Sequence, residues 1–366
     1  MKKLRKMEWW ILICAIMLCG IGLVALFSAS YDSNLDEFKK QAVWIGISLG
    51  IMIVIMFIDY KILIKLSPIL YGIAILSLIA VLFTKPISGA RSWFVIGDDL
   101  FSFQPAEMSK VFIILFLSYV ISIIQRKGRN EINKITKLSI ILLTIAVPVL
   151  LIIIEPDYGT ATAYIIAFII MIFVAGIDKK YIISALAVVI IAVPLIYNFV
   201  LPQHAKSRID TFLHPESDPR GAGYNILQSK LAIGSGQITG MGVLQGNQTQ
   251  LGYLYPKSTD FIFSVIGEEM GFVVACSVIL LNVVIITKSI QIAKGTKEEA
   301  GSYVAAGICG IFLFHTLENV GMTMGLLPIT GVPLLFVSYG RKFNDNKLYV
   351  SWYFAKYKWT KKKWNV

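Results

Sequence analysis

The carboxylate placed best for chemistry is Asp260. In Lys257-Ser258-Thr259-Asp260-Phe261-Ile262-Phe263 it stands alone where a long polar stretch runs into an apolar one. A carboxylate at such a boundary is partly desolvated, which raises its proton affinity and suits it to general-base work. The same position also fits a helix N-cap, and spacing leaves both readings open. Glu268 and Glu269 follow two turns later in the same apolar run. Upstream, Glu107 and Lys110 are three residues apart, so one helical face carries both and they can pair, if only to anchor a helix end. Glu155 and Asp157 lie in EPDYGTA, which holds two acids in a tight turn or a capped reversal.

Other chemistries find little support. Gly234, Gly236, Gly240 and Gly242 lack the Lys-Ser/Thr ending of a phosphate loop, so they read as turns. Cys14, Cys19, Cys276 and Cys309 lie inside apolar runs without CxxC spacing, as packing residues do. His204, His214 and His315 are scattered, and no zinc, haem or Ser-His-Asp pattern emerges.

The elements that must position these groups are set by composition. Hydrophobic residues make up 56% of the 366 and charged residues 15%, against roughly 25% charged in a soluble chain. That excludes a soluble globule, a disordered chain and a secreted disulfide scaffold. The apolar residues fall into about nine runs near 9–28, 42–58, 66–83, 108–124, 138–154, 160–177, 181–201, 261–286 and 303–327. Each is long enough to cross the hydrocarbon as a helix. The expected fold is therefore all-α, a polytopic integral membrane protein. The first run is long and lacks a small-residue cleavage site, so it reads as a retained helix rather than a signal peptide.

Basic residues alternate between loops, from the N-terminus through Lys61 and Lys65, the stretch Arg126 to Lys137, Lys179 and Lys180, and Lys288 to Lys297. By the positive-inside rule these mark the cytoplasmic side and a cytoplasmic N-terminus. The opposite face then holds loops at about 84–105 and 202–259, the second before the eighth helix, and function concentrates in such loops. Residues 226–233 read as an amphipathic helix lying along the membrane surface. The last 26 residues break the scheme, with eight basic groups against Asp345 and tryptophans among the lysines. Either a basic aromatic tail lies on an anionic membrane surface, or a shifted reading frame begins after Gly340. This tail supplies about +7 of the formal +12, so net charge gives no reason to expect nucleic acid.

Five ordered segments carry a resemblance: GARSWF with FSFQPAEMSK in 89–110, EPDYGTA at 155–161, DPRGAGYNILQSKLAIGSGQITGMGVLQGNQTQLGYLY at 218–255, STDFIFSVIGEEMGF at 258–272 and GMTMGLLPITGVPLLFVSYG at 321–340. Together they resemble the shape, elongation, division and sporulation (SEDS) family. GAGYNILQSKLAIGSG with LQGNQTQLGYL is more similar to its elongation-type, RodA-like branch than to its division-type, FtsW-like branch.

That resemblance implies a ten-helix peptidoglycan glycosyltransferase in the bacterial cytoplasmic membrane. It would polymerise lipid II on the outer face, working with a class B penicillin-binding protein transpeptidase and the elongation machinery. The family's essential carboxylate falls on Asp260, its loop tryptophan on Trp93, and its helix-start acid and base on Glu107 and Lys110. An inverting attack by a sugar hydroxyl on a lipid pyrophosphate donor needs one base and no acid, because pyrophosphate already leaves well; a glycosidase needs both. The departing charge needs a counter-charge, for which Arg91, Lys110 and Arg208, or a divalent cation such as magnesium or manganese, are candidates. Glu155 joins this substrate-binding set as an acid at the outer face.

The segment 1–340 is the expected transmembrane domain, and 341–366 stands where a tenth helix is expected. Two other readings remain. In one, the chain is a lipid II flippase with helices broken at Pro148 and Pro194. In the other, it is an inactive truncated or frameshifted scaffold.

Overall fold

The computed structural model describes residues 8–57, 59–86, 91–96, 101–200, 203–219, 221–296 and 298–340. The basic aromatic tail at 341–366 and the basic residues at 1–7 lie outside them.

In chain order the elements are α1 (Trp9–Ala29), α2 (Asp36–Phe57), α3 (Tyr60–Val81), the strands β1 (Phe94–Ile96) and β2 (Phe101–Phe103), α4 (Pro105–Gln125), α5 (Ile135–Ile154), α6 (Tyr158–Ala175) and α7 (Lys179–Leu195). Then come α8 (Gln203–Leu213), α9 (Ala222–Ser235), the single turn α10 (Asn247–Gln250), α11 (Ile262–Gly295) and α12 (Glu299–Thr323). Each of the nine apolar runs is a helix. Among the described residues eight are long and apolar enough to cross a membrane, and the 22-residue α2 covers the remaining run.

Local chemistry sets several boundaries. Pro105 opens α4, where its missing N–H costs nothing. Asp157 caps α6 by accepting from the Thr160 amide at 3.0 Å. Gly176, at φ +88°, ends that helix in the left-handed conformation glycine tolerates. A helix broken at Pro148 would suit the flippase reading, and α5 runs unbroken past it. Neighbouring helices and local adjustment accommodate such prolines in membranes. Pro194 lies near the end of α7, just ahead of a π turn at Ile196–Val200.

The bundle is organised around α12, which packs against α4, α6 and α11 and is buried along most of its length. Small residues allow this. A Cβ added at Gly310 would stand 2.7 Å from the Ala167 Cα of α6, and one at Gly307 would meet Ile114 and Met171 below 3 Å. Close backbone approach of this kind is how helices pack in hydrocarbon, where apolar burial supplies no drive. In α7, by contrast, Ile183, Ile190 and Ile191 are exposed, the surface lipid solvates.

The break in the bundle lies in α11. Gly271 has φ +79° and ψ −179°, so two helical pieces meet there. A loop repairs the interrupted ladder: Met241 and Gly242 donate backbone N–H groups to the carbonyls of Glu268 and Glu269 (2.9 and 3.0 Å), while Phe272 and Val273 donate to those of Gln237 and Ile238 (2.9 and 3.3 Å). The glycines expected at turns serve this contact. A Cβ at Gly236 would lie 1.9 Å from the Gly267 carbonyl oxygen, and one at Gly240, itself at φ +84°, 2.2 Å from that of Glu269. Nor does α9 merely rest on a membrane surface. It docks on α11 and α12, its Ser229 hydroxyl 2.6 Å from both the Ser264 hydroxyl and the Thr323 carbonyl.

Candidate active site

The turn entering α11 carries Asp260 to the wall of a cavity of about 680 Å³. The N-cap position of α11 is Phe261, so of the two sequence readings Asp260 does not take the cap. Its backbone is pinned from α12: Asn319 Nδ2 donates to the carbonyls of Asp260 and Val332 at 3.0 and 2.9 Å. The segment 332–340 clasps the same turn, with Ser338 Oγ donating to the Thr259 carbonyl at 2.8 Å and the Tyr339 amide to that of Ser258 at 2.9 Å. Asp260 Oδ2 lies 3.5 Å from where a Cβ would stand at Gly331, which has φ +74°.

Trp93, Glu107 and Arg208 line this cavity with Asp260. Trp93 arrives on the short hairpin, whose strands pair antiparallel with Phe94 opposite Phe103 and their rings stacked at 6.0 Å. Two bonds staple the hairpin to the α5–α6 turn. Ser92 Oγ donates to the Glu155 carbonyl at 3.3 Å, and Gln104 Nε2 to Asp157 Oδ2 at 2.7 Å.

The predicted Glu107–Lys110 pair forms, with both side chains almost fully buried. The sequence reading missed its third member: Lys110 Nζ is 3.1 Å from His315 Nε2. His315 Nδ1 is 2.9 Å from the Pro333 carbonyl oxygen, which can only accept. Nδ1 therefore carries the imidazole proton, and Nε2 accepts from the ammonium. The link crosses from α4 to α12 and holds the Glu107 carboxyl at the cavity wall.

The other two predicted residues stand apart from the cavity lining. Arg91 is exposed and donates to the Leu82 carbonyl at 3.3 Å. Glu155 is buried to zero exposure beneath the turn, its carboxylate oxygens without a hydrogen bond of normal geometry. Burial, then the neighbouring Asp157 charge, pushes its carboxyl up to about 8, against a small opposing effect of Ser92. Asp157 itself lines the cavity. Burial raises its pKa as well, with the Thr160 amide and hydroxyl pulling the other way. Among the described residues no three His, Cys, Asp or Glu side chains converge to hold a metal ion.

Residues 8–341 match the cell cycle protein family that unites FtsW, RodA and SpoVE. Among curated proteins, the chain is similar to the peptidoglycan glycosyltransferase MrdB of Escherichia coli, with 34% identity over 90% of this chain and 87% of that one. It is similar also to stage V sporulation protein E of Bacillus subtilis, with 34% identity over 90% and 91%. Two solved structures share the fold. One, described as a peptidoglycan synthase complex that coordinates polymerization and crosslinking, has a TM-score of 0.78 at 24% identity and 95% coverage of both chains. The other, the rod shape determining protein RodA of Thermus thermophilus, has a TM-score of 0.72 at 23% identity and 98% coverage of both.

Proposed function

This chain belongs to the FtsW, RodA and SpoVE family of cell cycle proteins, and on that premise we propose that it is a peptidoglycan glycosyltransferase. It polymerises lipid II, the undecaprenyl-pyrophosphate-linked disaccharide peptide, at the outer face of the bacterial cytoplasmic membrane during cell elongation. The observation that carries the reading is a partly buried carboxylate, Asp260, on the wall of a 680 Å³ cavity, within the roughly 300–1,000 Å³ of small-molecule sites.

In this mechanism the Asp260 carboxylate takes the proton of the acceptor 4-hydroxyl as its oxygen attacks the donor's anomeric carbon. The bond to the lipid pyrophosphate breaks with inversion, and the pyrophosphate leaves carrying the negative charge. Of the cations expected from sequence, Arg208 lines the cavity, whereas Lys110 is engaged with Glu107 and His315. Trp93 supplies an aromatic face for a sugar ring. A divalent cation such as magnesium or manganese at the leaving pyrophosphate would supply further counter-charge.

The proposal includes a cytoplasmic N-terminus, a transmembrane domain over 1–340 followed by the basic aromatic segment 341–366, and a class B penicillin-binding protein as the crosslinking partner. The solved complex that couples polymerization to crosslinking supports the last point. The test is glycan polymerisation from lipid II by the purified chain, alone and with such a partner. Asp260→Ala is expected to abolish product while leaving the melting temperature close to wild type. Polymer of undiminished length from Asp260→Ala would remove Asp260 from the mechanism.

A further inference from the structure

The turn that carries Asp260 also carries a cation. Lys257, three residues earlier, lines the same cavity. Its Nζ lies 3.2 Å from Asp32 Oδ2 and 3.0 Å from the Thr249 carbonyl oxygen. An ammonium has three N–H groups, so these two contacts leave one for a ligand. Its position is set by buried structure: the Thr249 amide and hydroxyl both donate to Glu268 Oε2, at 3.0 and 2.6 Å, and Glu268 has no exposed surface. The contact with Asp32 is weaker, because that side chain is 65% exposed and water competes for it.

Charge makes this ammonium matter. Asp32, Glu37, Asp157 and Asp260 all line the cavity, and Lys110 already offsets the charge of Glu107. Among the described lining residues the only cationic side chains are Arg208 and Lys257. Arg208 is exposed on α8, while the Lys257 side chain is 18% exposed, where a charge-assisted bond is less screened. An anionic ligand entering among those carboxylates needs a counter-charge on the wall.

We propose that Lys257 binds the pyrophosphate of the polyprenyl-linked donor, so that one turn presents both the base and the leaving-group cation. The inference rests on the glycosyltransferase reading. In the step, the acceptor oxygen forms its bond to the anomeric carbon as the bond to pyrophosphate oxygen breaks. The hydroxyl proton goes to Asp260. The electron pair leaves with the pyrophosphate, and Lys257 offsets that charge without giving up a proton.

The experiment measures binding of undecaprenyl pyrophosphate and of undecaprenol to detergent-purified protein, alongside lipid II polymerisation, for wild type, Lys257→Gln, Lys257→Arg and Asp32→Asn. Loss of one charge-assisted contact predicts that Lys257→Gln weakens pyrophosphate binding about tenfold or more and leaves undecaprenol binding unchanged. Lys257→Arg retains most of the affinity, and Asp32→Asn, which releases the ammonium, increases it. Unchanged pyrophosphate affinity in Lys257→Gln overturns the inference. So does equal weakening in Lys257→Gln and Asp32→Asn, the signature of a structural brace. If Lys257→Gln does not fold, Asp32→Asn is set against Glu37→Gln, which removes a lining carboxylate that does not hold Lys257: a larger gain in Asp32→Asn supports the assignment, and equal gains overturn it. Charge-dependent pyrophosphate binding without polymerisation by wild type keeps the Lys257 assignment and rejects the polymerase. Asp260-dependent polymerisation with an unaltered KM in Lys257→Gln does the reverse.

Discussion

A carboxyl group with no exposed surface is stabilised in the fold by a partner or by a proton, and burial pushes Glu155 toward the second course. Its folded pKa is raised to about 8 from an ordinary 4.5. Between those values the folded chain holds a proton that the unfolded chain loses, so stability falls as pH rises through that window. Melting in detergent is therefore expected to drop from pH 5 to 8.5 more steeply in wild type than in Glu155→Gln, whose amide never ionises. Parallel slopes would mean that Glu155 is already charged at neutral pH. At Lys110 the charge is paired instead. Lys110→Met strands the buried Glu107 carboxylate and is expected to cost about 3–5 kcal/mol, whereas Lys110→Met with Glu107→Leu recovers folded yield without activity. Spacing along one helix made the Glu107–Lys110 pair legible in the sequence. His315 was not, because 205 residues separate it from Lys110 and only the contact between α4 and α12 unites them.

At the scale of elements, apolar run length located every long helix, but it could not see the break at Gly271, because the run continues across it. The loop that repairs the break was equally hidden: its glycines look like turn residues until the backbone they approach is known. Gly240→Ala forces a side chain into a left-handed position against the Glu269 carbonyl. It is expected to cost at least about 1–3 kcal/mol from backbone strain. Gly234→Ala is the contrast, since Gly234 lies within α9 with nothing within 4 Å of an added Cβ. It is expected to raise the melting temperature slightly, reflecting at most the roughly 1 kcal/mol that separates the two residues in a helix. Thermal melts of both variants in one detergent check the pair, and a Gly240→Ala melt matching wild type would show that the loop yields without penalty. The hairpin follows the same logic. Phe94 and Phe103 pair across it, but the bonds from Ser92 and Gln104 fasten its base, beside Trp93, to the α5–α6 turn.

For the whole molecule, composition alone identified a polytopic helical membrane protein, while the identity of its central helix depended on packing that hydropathy does not record. The glycines of α12 predict where the bundle is intolerant. Gly310→Leu meets the Ala167 backbone and is expected to abolish the folded, monodisperse fraction on size-exclusion chromatography. Val189→Leu on the exposed face of α7 should leave that fraction unchanged; equal losses in the two would contradict the assignment of α12 as the centre. The broken α11 has a consequence for how the protein is made. At about 1.5 Å per residue, 272–295 alone is long enough to cross the hydrocarbon, yet its first amides have no partner within their own helix. A span cannot enter lipid with those groups bare. Because 236–242 precede α11 in the chain, they leave the ribosome first, and the backbone that completes the span is already synthesised when the span reaches the bilayer.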